Sequence, residues 1–380
     1  MNELPQHIPS PCYVLYEEKL ISNLELLRYV QDESGVKIIC ALKGFSTWAV
    51  FPLIKKYLSG ATASSLNEAT LIHEEMKTKA HTYCPAYIPS EFFEIAQRSS
   101  HITFNSMSEY SRYISILKNR LSGILCGIRI NPGYSEISTD IYNPAISGSR
   151  LGVSRNELGK DLPSGINGLH FHLLCEQDSF VLERVLEKVE EKFSDLLKQC
   201  AWINMGGGHL ITRNGYDTEH LIRILKEFKK RYPQAEIILE PGEAIGWETG
   251  ILTSTVLDII DKKDFKIAML DVSFAAHMPD TLEMPYKPMV EGATDARKGA
   301  HTYRFGGSTC LAGDFMGDYS FDKELMPGDK VVFQDMIHYT MVKTTFFNGV
   351  KHPSIGMIDV AGKFRMLKDF GYSEFKNKLS

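Results

Sequence analysis

Hydrophobic positions along residues 36–240 recur as short, nearly continuous apolar runs, each followed by a polar turn and a stretch with helix-like spacing. Runs this short and apolar, bounded by Gly, Pro and polar residues, predict strands that are buried on both faces. Eight such runs alternate with helices, which predicts a closed parallel (β/α)8 barrel of the TIM type rather than an open sheet. The predicted strands are residues 36–42, 60–64, 81–84, 101–104, 124–130, 167–173, 201–205 and 236–240.

One long segment interrupts this alternation. Residues 131–166 are rich in Gly, Pro and Ser and have no periodic apolar face. Irregular connections of this length are uncommon in compact domains and are often functional. We therefore expect a long loop above the barrel mouth.

Beyond Gly242 the pattern becomes that of a second, all-β domain, without a clear helical stretch before the last residues. A short run at residues 12–16 has no place in the barrel and is predicted to join this sheet. The predicted division is a barrel domain of residues 18–250 and a β domain of residues 1–17 and 251–380. The strands predicted after the barrel are residues 251–260, 266–274, 331–333, 339–347 and 357–360.

Composition and charge exclude several classes of function. The chain of 380 residues has a formal net charge of -5 and no basic block, so neither nucleic acid nor a membrane surface is an expected partner. The apolar runs are far shorter than a membrane span, and the first 11 residues do not resemble a secretory signal. The seven cysteines are odd in number, widely spaced and without a C-x-x-C pair, which predicts a reducing cytoplasm and no structural metal.

Residues suited to chemistry follow several of the predicted strands. Lys43 ends the first strand, and a lysine amine in a desolvated barrel mouth loses its proton more easily than in water. The neutral amine is a nucleophile that condenses with a carbonyl group. Gly206, Gly207 and Gly208 follow the seventh strand, where backbone N–H groups could approach a phosphate. The alternatives are a lysine that extends into solvent and an ordinary glycine turn.

The sixth and eighth strands also end in polar side chains. Glu240 follows three large aliphatic residues, and a buried carboxylate needs a partner, which could equally be a salt bridge at the barrel end. His170 and His172 are two positions apart on the sixth strand, so they could bind a metal, stack on a flat ligand, or be structural.

Together these strand ends offer what pyridoxal 5'-phosphate requires: a lysine for the aldehyde, glycines for the phosphate, a carboxylate for the ring nitrogen and an imidazole for the ring face. From about Pro11 to Gly362 the chain resembles the pyridoxal-phosphate decarboxylases of the alanine-racemase-like fold, the group with ornithine, arginine and diaminopimelate decarboxylases. Members join a (β/α)8 barrel to a β domain. The resemblance also implies a homodimer with active sites shared between subunits.

The resemblance assigns roles at the barrel mouth. Lys43 in A-L-K resembles the lysine that carries the cofactor as a Schiff base, and His172 in H-F-H resembles the imidazole stacked on the pyridine ring. Gly206–Gly208 resembles the phosphate loop. Glu240 resembles the acid that pairs with the pyridine nitrogen, and Gly242 belongs to the same E-P-G motif.

Two further roles fall in the β domain. Cys310 in G-S-T-C resembles the family cysteine that reaches the neighbouring subunit's site, where it would return a proton to the substrate Cα. Without the resemblance it would be an ordinary core cysteine. Tyr339 resembles a tyrosine near the phosphate.

The substrate is suggested by departures from the ornithine and diaminopimelate patterns. Glu243 stands where those enzymes commonly have an arginine, and the segment 271–286 resembles most closely the carboxynorspermidine/carboxyspermidine decarboxylase branch. That resemblance implies decarboxylation of these two compounds to norspermidine and spermidine with release of carbon dioxide. Carboxylated polyamines carry ammonium groups along a chain, so extra acids would bind them. The expected substrate residues are Glu243, Asp280, Asp271 and Asp314, although Asp280 could instead be a turn residue after Pro279.

Three alternatives stay open at this point. The first is a decarboxylase of another amino acid, of the diaminopimelate, ornithine or arginine type. The second is a metal-dependent barrel hydrolase with His170 and His172 as ligands, supported by His209 and His277. The third is a non-catalytic pyridoxal-phosphate carrier, which would have no use for Cys310.

Overall fold

The computed structural model describes residues 7–121, 123–263, 265–295, 297 and 300–380. The chain divides into two compact units. One unit is Asn23–Ile245, and the other combines Met1–Ser22 with Gly246–Ser380. The chain enters this arrangement through strand β1 (Cys12–Tyr16) and helix α1 (Glu17–Ser34).

The first unit is built around a closed parallel barrel, as the sequence predicts. Neighbouring strands pair in the order β2-β10-β9-β8-β7-β6-β5-β4-β3. Its strands are β2 (Lys37–Ile38), β3 (Cys40–Ala41), β4 (Ala61–Ala63), β5 (Ala80–Tyr83), β6 (Ser99–Phe104), β7 (Leu125–Arg129), β8 (Gly168–His170), β9 (Trp202–Asn204) and β10 (Glu236–Leu239).

Closure of the barrel divides the first predicted strand, residues 36–42, into β2 and β3. The N–H of Ile39 donates to the carbonyl of Leu239, whereas the N–H of Cys40 donates to the carbonyl of Gly60, each at 2.9 Å. The two pieces therefore pair with different neighbours: β2 with β10 and β3 with β4. Together β2 and β3 take the place of one strand of an eight-stranded barrel.

Four helices of this unit begin at capping side chains. Ser65, Ser106, Asp178 and Asp217 each accept a backbone N–H bond from the third residue of the helix they precede. The helices are α2 (Phe51–Ile54), α3 (Leu66–Leu71), α4 (Phe92–Gln97), α5 (Met107–Arg120), α6 (Ser179–Leu197), α7 (Thr218–Arg231) and α8 (Glu243–Gly246), with a π-helical turn at Ile72–Met76.

The interior of the barrel is filled by Trp202, whose side chain lies against two glycines. A Cβ atom built on Gly127 would lie 2.4 Å from the indole, and one on Gly168 would lie 2.0 Å from it. Only glycine leaves room for the indole at these two strand positions. The segment after β7 is irregular, with 3-10 turns at Asp140–Tyr142 and Arg155–Glu157, as expected for the long loop.

The second unit contains a nine-stranded mixed sheet. The early strand β1 belongs to it, as predicted: it pairs antiparallel with β11 and parallel with β17. The strands are ordered β13-β15-β14-β12-β11-β1-β17-β18, with β16 also paired to β11. They are β11 (Gly250–Asp261), β12 (Lys266–Leu270), β13 (Ala293–Asp295), β14 (His301–Gly306), β15 (Phe315–Phe321), β16 (Lys330–Gln334), β17 (Ser354–Ile358) and β18 (Phe364–Lys368).

Two predicted strands of this unit are wrong in part. The run 266–274 ends as a strand at Leu270, because Ser273 caps a new helix through its Oγ, which accepts the N–H of Ala276 at 3.0 Å. The run 339–347 contains helix α11 rather than a strand, although its β-branched and aromatic residues favour a strand. The helices here are α9 (Phe274–His277), α10 (Asp280–Glu283), α11 (Tyr339–Val342) and α12 (Tyr372–Leu379).

Four strands were not predicted: β13, β14, β15 and β18. β13 and β18 have no buried position, and in β14 and β15 buried positions are interleaved with exposed or partly exposed ones, so no continuous apolar run marks these strands. Across the described residues, none of the helices combines the length and the apolar character needed to cross a membrane.

Candidate active site

The turns after the first and last barrel strands meet at two glycines. A Cβ atom on Gly44 would lie 2.9 Å from the backbone nitrogen of Glu243 and 3.0 Å from the Cα of Gly242. The N–H of Ala41 donates to the carbonyl of Pro241 at 3.1 Å. Glycine at both positions therefore allows the turn that carries Lys43 to lie directly against the E-P-G turn.

Lys43 is accessible to solvent, yet protein groups surround its amine. Burial lowers the pKa of Lys43 below its ordinary value, and the charge of Arg129 lowers it further, while Glu240, Cys175 and Glu68 act in the opposite direction. Among the described residues its Nζ makes no hydrogen bond or ion pair. The fold thus favours the neutral, nucleophilic form of this amine.

Glu240 is buried directly after β10, and it is held by polar partners on two sides. Its Oε1 accepts a hydrogen bond from Asn204 Nδ2 at 2.7 Å, and its Oε2 lies 3.5 Å from His170 Nε2. Burial alone would raise the pKa of Glu240, but the interactions with His170 and Asn204 outweigh it and lower the pKa to about 2. The carboxylate is therefore ionised at neutral pH.

The glycine triplet forms a turn that packs tightly on the segment after β8. A Cβ atom on Gly207 would lie 2.3 Å from the carbonyl oxygen of Glu240, and one on Gly208 would lie 2.0 Å from that of Leu174. Gly206 and Gly208 also have positive φ angles of 72° and 86°. No other residue fits this turn without moving the backbone.

The N–H groups of the triplet are not all available to a ligand. The N–H of Gly206 donates to Asn204 Oδ1 at 2.9 Å, and that of Gly207 donates to His172 Nδ1 at 2.8 Å. The second bond orients the His172 imidazole, whose pKa burial and the charges of Lys43 and Arg129 hold well below its usual range. His172 is therefore a neutral, fixed ring at the barrel mouth.

Arg129, at the end of β7, is a site residue that the sequence analysis missed. It is 5% exposed, its Nη2 donates to the carbonyl of His172 at 3.2 Å, and its guanidinium lies 4.8 Å from the ring centroid of Tyr83. No carboxylate of the described residues lies within ion-pair distance of it. The sequence signal differs from that of Glu240, because Arg129 is a charged residue inside the predicted apolar strand 124–130 and is followed by Ile130.

Two further histidines, also missed, stack inside the barrel. The rings of His81 and His101 have centroids 3.8 Å apart, and burial lowers their pKa values to about 3 and about 4. Both are therefore neutral at pH 7 and form part of the packed interior.

In the second unit, Cys310 lies on an exposed loop. All seven cysteines are unpaired and lie in described residues, and Cys310 is the one that is exposed. Its N–H donates to Asn348 Oδ1 at 2.7 Å. An exposed position excludes the core-cysteine alternative.

The carboxylate of Asp314 holds the loop of Cys310 through hydrogen bonds. Its Oδ1 accepts N–H bonds from Phe274 at 2.7 Å and Ala275 at 3.0 Å, and its Oδ2 accepts from the N–H and Oγ1 of Thr309 at 3.0 and 2.5 Å. Both carboxylate oxygens are thus occupied by protein donors. This arrangement is typical of a structural carboxylate, and the substrate contact predicted for Asp314 stays a prediction.

Asp280 differs from Asp314, because only one of its two carboxylate oxygens accepts hydrogen bonds from the described residues. It is 8% exposed, and its Oδ2 accepts hydrogen bonds from Tyr286 at 2.9 Å and Thr340 at 2.7 Å. Its Oδ1 is buried and has no hydrogen-bond partner among the described residues. Asp271 is anchored differently, since its Oδ1 accepts from Ser254 Oγ and the N–H of Thr255, both at 2.8 Å.

Comparison with known proteins identifies the family. The family model described as "Pyridoxal-dependent decarboxylase, C-terminal sheet domain" matches residues 29–337. The chain belongs to this family. It is 50% identical to the carboxyaminopropylagmatine decarboxylase of Synechocystis sp., over 98% of this chain and 96% of the relative. It is 42% identical to the carboxynorspermidine/carboxyspermidine decarboxylase of Campylobacter jejuni, over 97% and 98%.

A solved structure also supports membership of this decarboxylase in the pyridoxal-dependent family. The Campylobacter jejuni carboxynorspermidine decarboxylase complexed with norspermidine matches with a TM-score of 0.90 and 41% identity, covering 98% of this chain and 100% of the other. The predicted barrel with an added β domain, the pyridoxal-phosphate cofactor and the decarboxylase class are thereby confirmed. The metal-hydrolase and carrier alternatives are not supported by any of these relatives.

The barrel mouth of the decarboxylase fits pyridoxal phosphate. It supplies an amine with a lowered pKa at Lys43, an ionised buried carboxylate at Glu240 and a fixed imidazole at His172. The crowded glycine turn at 206–208 brings backbone, not side chains, to the same edge. Two of its N–H groups already donate to Asn204 and His172, so phosphate binding by this turn stays a prediction that would depend on the N–H of Gly208.

His170 and His172 do not act as a pair, although they were expected to face the same way. Strand β8 ends at His170, so the alternation of a strand does not continue to His172. His170 faces Glu240, whereas His172 is bonded to Gly207.

Proposed function

We propose that this decarboxylase acts on carboxynorspermidine or carboxyspermidine and forms norspermidine or spermidine with release of carbon dioxide, as a step of polyamine biosynthesis. The observation that carries the proposal is the buried Oδ1 of Asp280, which has no hydrogen-bond partner in the described part of the chain and is suited to a substrate ammonium group. The likeness to the Campylobacter jejuni enzyme over nearly the full length supports the same substrate class.

Glu243 supports a cationic substrate as well. It stands at the start of α8, directly against the turn of Gly44, and its charge contributes to raising the pKa of Cys175 to about 11. A diaminopimelate decarboxylase needs a cation for its second carboxylate, which an acid at this position would repel. We propose Glu243 and Asp280 as substrate residues, with Asp271 in a supporting position.

A second substrate, carboxyaminopropylagmatine, is favoured by the 50% identity to the Synechocystis enzyme. Agmatine ends in a guanidinium group, which binds carboxylates best through two oxygens at once. At Asp280 the hydroxyl groups of Tyr286 and Thr340 occupy Oδ2, which leaves one oxygen. A single acceptor favours an ammonium group, and for this reason we rank the polyamine acids first.

The residues of the barrel mouth would hold the cofactor in defined roles. Lys43 would bind its aldehyde carbon, Glu240 its ring nitrogen and His172 one ring face, while the turn 206–208 with Gly242 would border its phosphate. Tyr339 is proposed to lie near the phosphate as well. When bound, pyridoxal phosphate supplies the electron-accepting ring that makes loss of the α-carboxylate possible.

We further propose a homodimer in which the partner subunit's Cys310 returns the proton to the substrate carbon. Exposure of this thiol, on a loop fixed by Asp314, supports the proposal. The unpaired cysteines agree with a reducing cytoplasm.

Mixing inactive Lys43→Ala and Cys310→Ala proteins tests the shared site. Activity should return to roughly a quarter of the wild-type value, since about half of the dimers are mixed and each mixed dimer contains one intact site out of two. Full turnover by Cys310→Ala alone, with clean amine product, would contradict the role of the thiol.

The substrate is tested by a panel assayed for carbon dioxide and amine product. The panel contains carboxynorspermidine, carboxyspermidine, carboxyaminopropylagmatine, diaminopimelate, ornithine and arginine, each with and without added cofactor. We expect the highest kcat/KM for the first two compounds. Highest turnover of carboxyaminopropylagmatine would replace the proposal with the second candidate. Independently, borohydride should fix the cofactor onto Lys43, and a Lys43→Ala variant is the control.

A further inference from the structure

A single amide connects the carboxylate of Glu240 with the glycine turn. Asn204 is the last residue of β9, is 3% exposed, and follows the buried Trp202 and Ile203. Its Nδ2 donates to Glu240 Oε1 at 2.7 Å, and its Oδ1 accepts the N–H of Gly206 at 2.9 Å. A backbone hydrogen bond connects the same two segments, because the N–H of Glu240 donates to the carbonyl of Gly206 at 2.8 Å.

Only an amide satisfies both contacts of Asn204. The carboxylate of Glu240 requires a donor, whereas the N–H of Gly206 requires an acceptor, and this pair of demands fixes which side of the amide faces each group. An aspartate would present two acceptors and set a second negative charge against Glu240. An alanine would leave a buried carboxylate oxygen and a buried N–H without partners.

We propose that Asn204 is a positioning residue, which holds the Glu240 carboxylate and the turn of Gly206–Gly208 in a fixed mutual arrangement so that one pyridoxal phosphate meets both. Because Asn204 occupies Oε1, the ring nitrogen would meet Oε2, which His170 Nε2 also faces at 3.5 Å and which has acceptor sites for both. The proposal rests on the pyridoxal-phosphate site and makes no assumption about the substrate.

Cofactor binding by the apo-protein tests this proposal without any measurement of activity. Pyridoxal phosphate is titrated into the wild type and into Asn204→Asp and Asn204→Ala, its affinity is measured by fluorescence quenching, and the absorption spectrum of the bound cofactor is recorded. We expect affinity to fall roughly tenfold or more in both variants, because each loses a charge-assisted buried hydrogen bond. We also expect the spectrum of Asn204→Asp to change, since the charge beside the ring nitrogen changes.

A paired exchange separates positioning from a general loss of stability. In the double variant Asn204→Asp with Glu240→Gln, the amide introduced at position 240 can donate to the carboxylate introduced at position 204, while the N–H of Gly206 keeps an acceptor. Affinity should therefore recover relative to Asn204→Asp, whereas the wild-type spectrum should not return, because the ring nitrogen no longer meets a carboxylate at position 240.

Asn167 provides a matched control at the opposite end of a neighbouring strand. Its Oδ1 accepts from the N–H of Cys126 at 3.0 Å and from Trp202 Nε1 at 3.3 Å, and an aspartate keeps both bonds. Asn167→Asp should bind the cofactor as the wild type does. The proposal is overturned if Asn204→Asp binds with wild-type affinity and spectrum, or if the double variant binds no better than Asn204→Asp.

Discussion

Replacing Asp280 with asparagine separates substrate recognition from structural support at one buried carboxylate. The hydroxyl groups of Tyr286 and Thr340 both donate to Oδ2, while Oδ1 is buried without a hydrogen-bond partner among the described residues. The carbonyl oxygen of an asparagine can accept both hydroxyl groups. Its NH2 group then occupies the position of Oδ1, where a donor replaces an acceptor.

The change should have opposite effects on binding and on stability. A charge-assisted hydrogen bond to an ammonium group contributes about 1.5–3 kcal/mol, so kcat/KM for carboxynorspermidine should fall about tenfold to hundredfold in Asp280→Asn. In the substrate-free protein, the carboxylate is buried and one of its oxygens accepts no hydrogen bond from the residues that the structure describes. Removing that charge should leave the free energy of unfolding unchanged or raise it.

Steady-state kinetics and thermal unfolding of the substrate-free protein measure these two effects. Asp314→Asn is the matched control, because all four donors on the Asp314 carboxylate come from the protein and its loss should lower the unfolding temperature. If Asp280→Asn also lowers the unfolding temperature and leaves kcat/KM within about twofold of wild type, Asp280 is a structural residue and the proposed substrate contact is wrong.

Two further predictions concern the barrel unit. Gly207→Ala should abolish cofactor binding and lower the unfolding temperature, because its Cβ atom would lie 2.3 Å from the carbonyl oxygen of Glu240; Gly159→Ala, where the nearest atom is 4.0 Å away, should leave both quantities as in the wild type. Because burial lowers the pKa values of His81 and His101 from 6.5 to about 3 and about 4, the unfolded chain takes up protons first as the pH falls below 6.5, and stability should decrease from there towards about pH 4. Urea unfolding of His101→Gln should show a flatter decrease over that range than the wild type, and equal slopes would contradict the neutral, buried state of this histidine.

The barrel and the main site residues could be predicted because their signals are local. Lys43 and Glu240 each follow an apolar run directly, and a charge at the end of a buried strand stands out in the sequence. Arg129 does not satisfy this criterion, because it lies inside the predicted strand 124–130 and is followed by Ile130. His81 and His101 could not be found in this way, since a stacked, neutral pair inside a barrel depends on which strands become neighbours.

The roles of the acids could not be predicted, because they depend on distant partners. Asp314 and Asp280 look alike in sequence, yet Asp314 accepts N–H groups from Phe274 and Ala275, about 40 residues away, whereas Asp280 keeps one oxygen without a donor among the described residues. The helix at Tyr339–Val342 could not be predicted for a similar reason. Its residues favour a strand, and only the tertiary structure gives the segment its helical form.

The pKa values of Lys43 and Glu240 are both lowered, and the cause differs between the two groups because their partners differ. Burial acts on both groups to disfavour charge, lowering the pKa of the amine and raising that of the acid. Glu240 stays ionised because Asn204 and His170 face its two oxygens, whereas Lys43 makes no hydrogen bond with the described residues and lies near the positive charge of Arg129. The same barrel mouth therefore presents a nucleophilic amine and a fixed negative charge, and pyridoxal phosphate requires this pair at its aldehyde and its ring nitrogen.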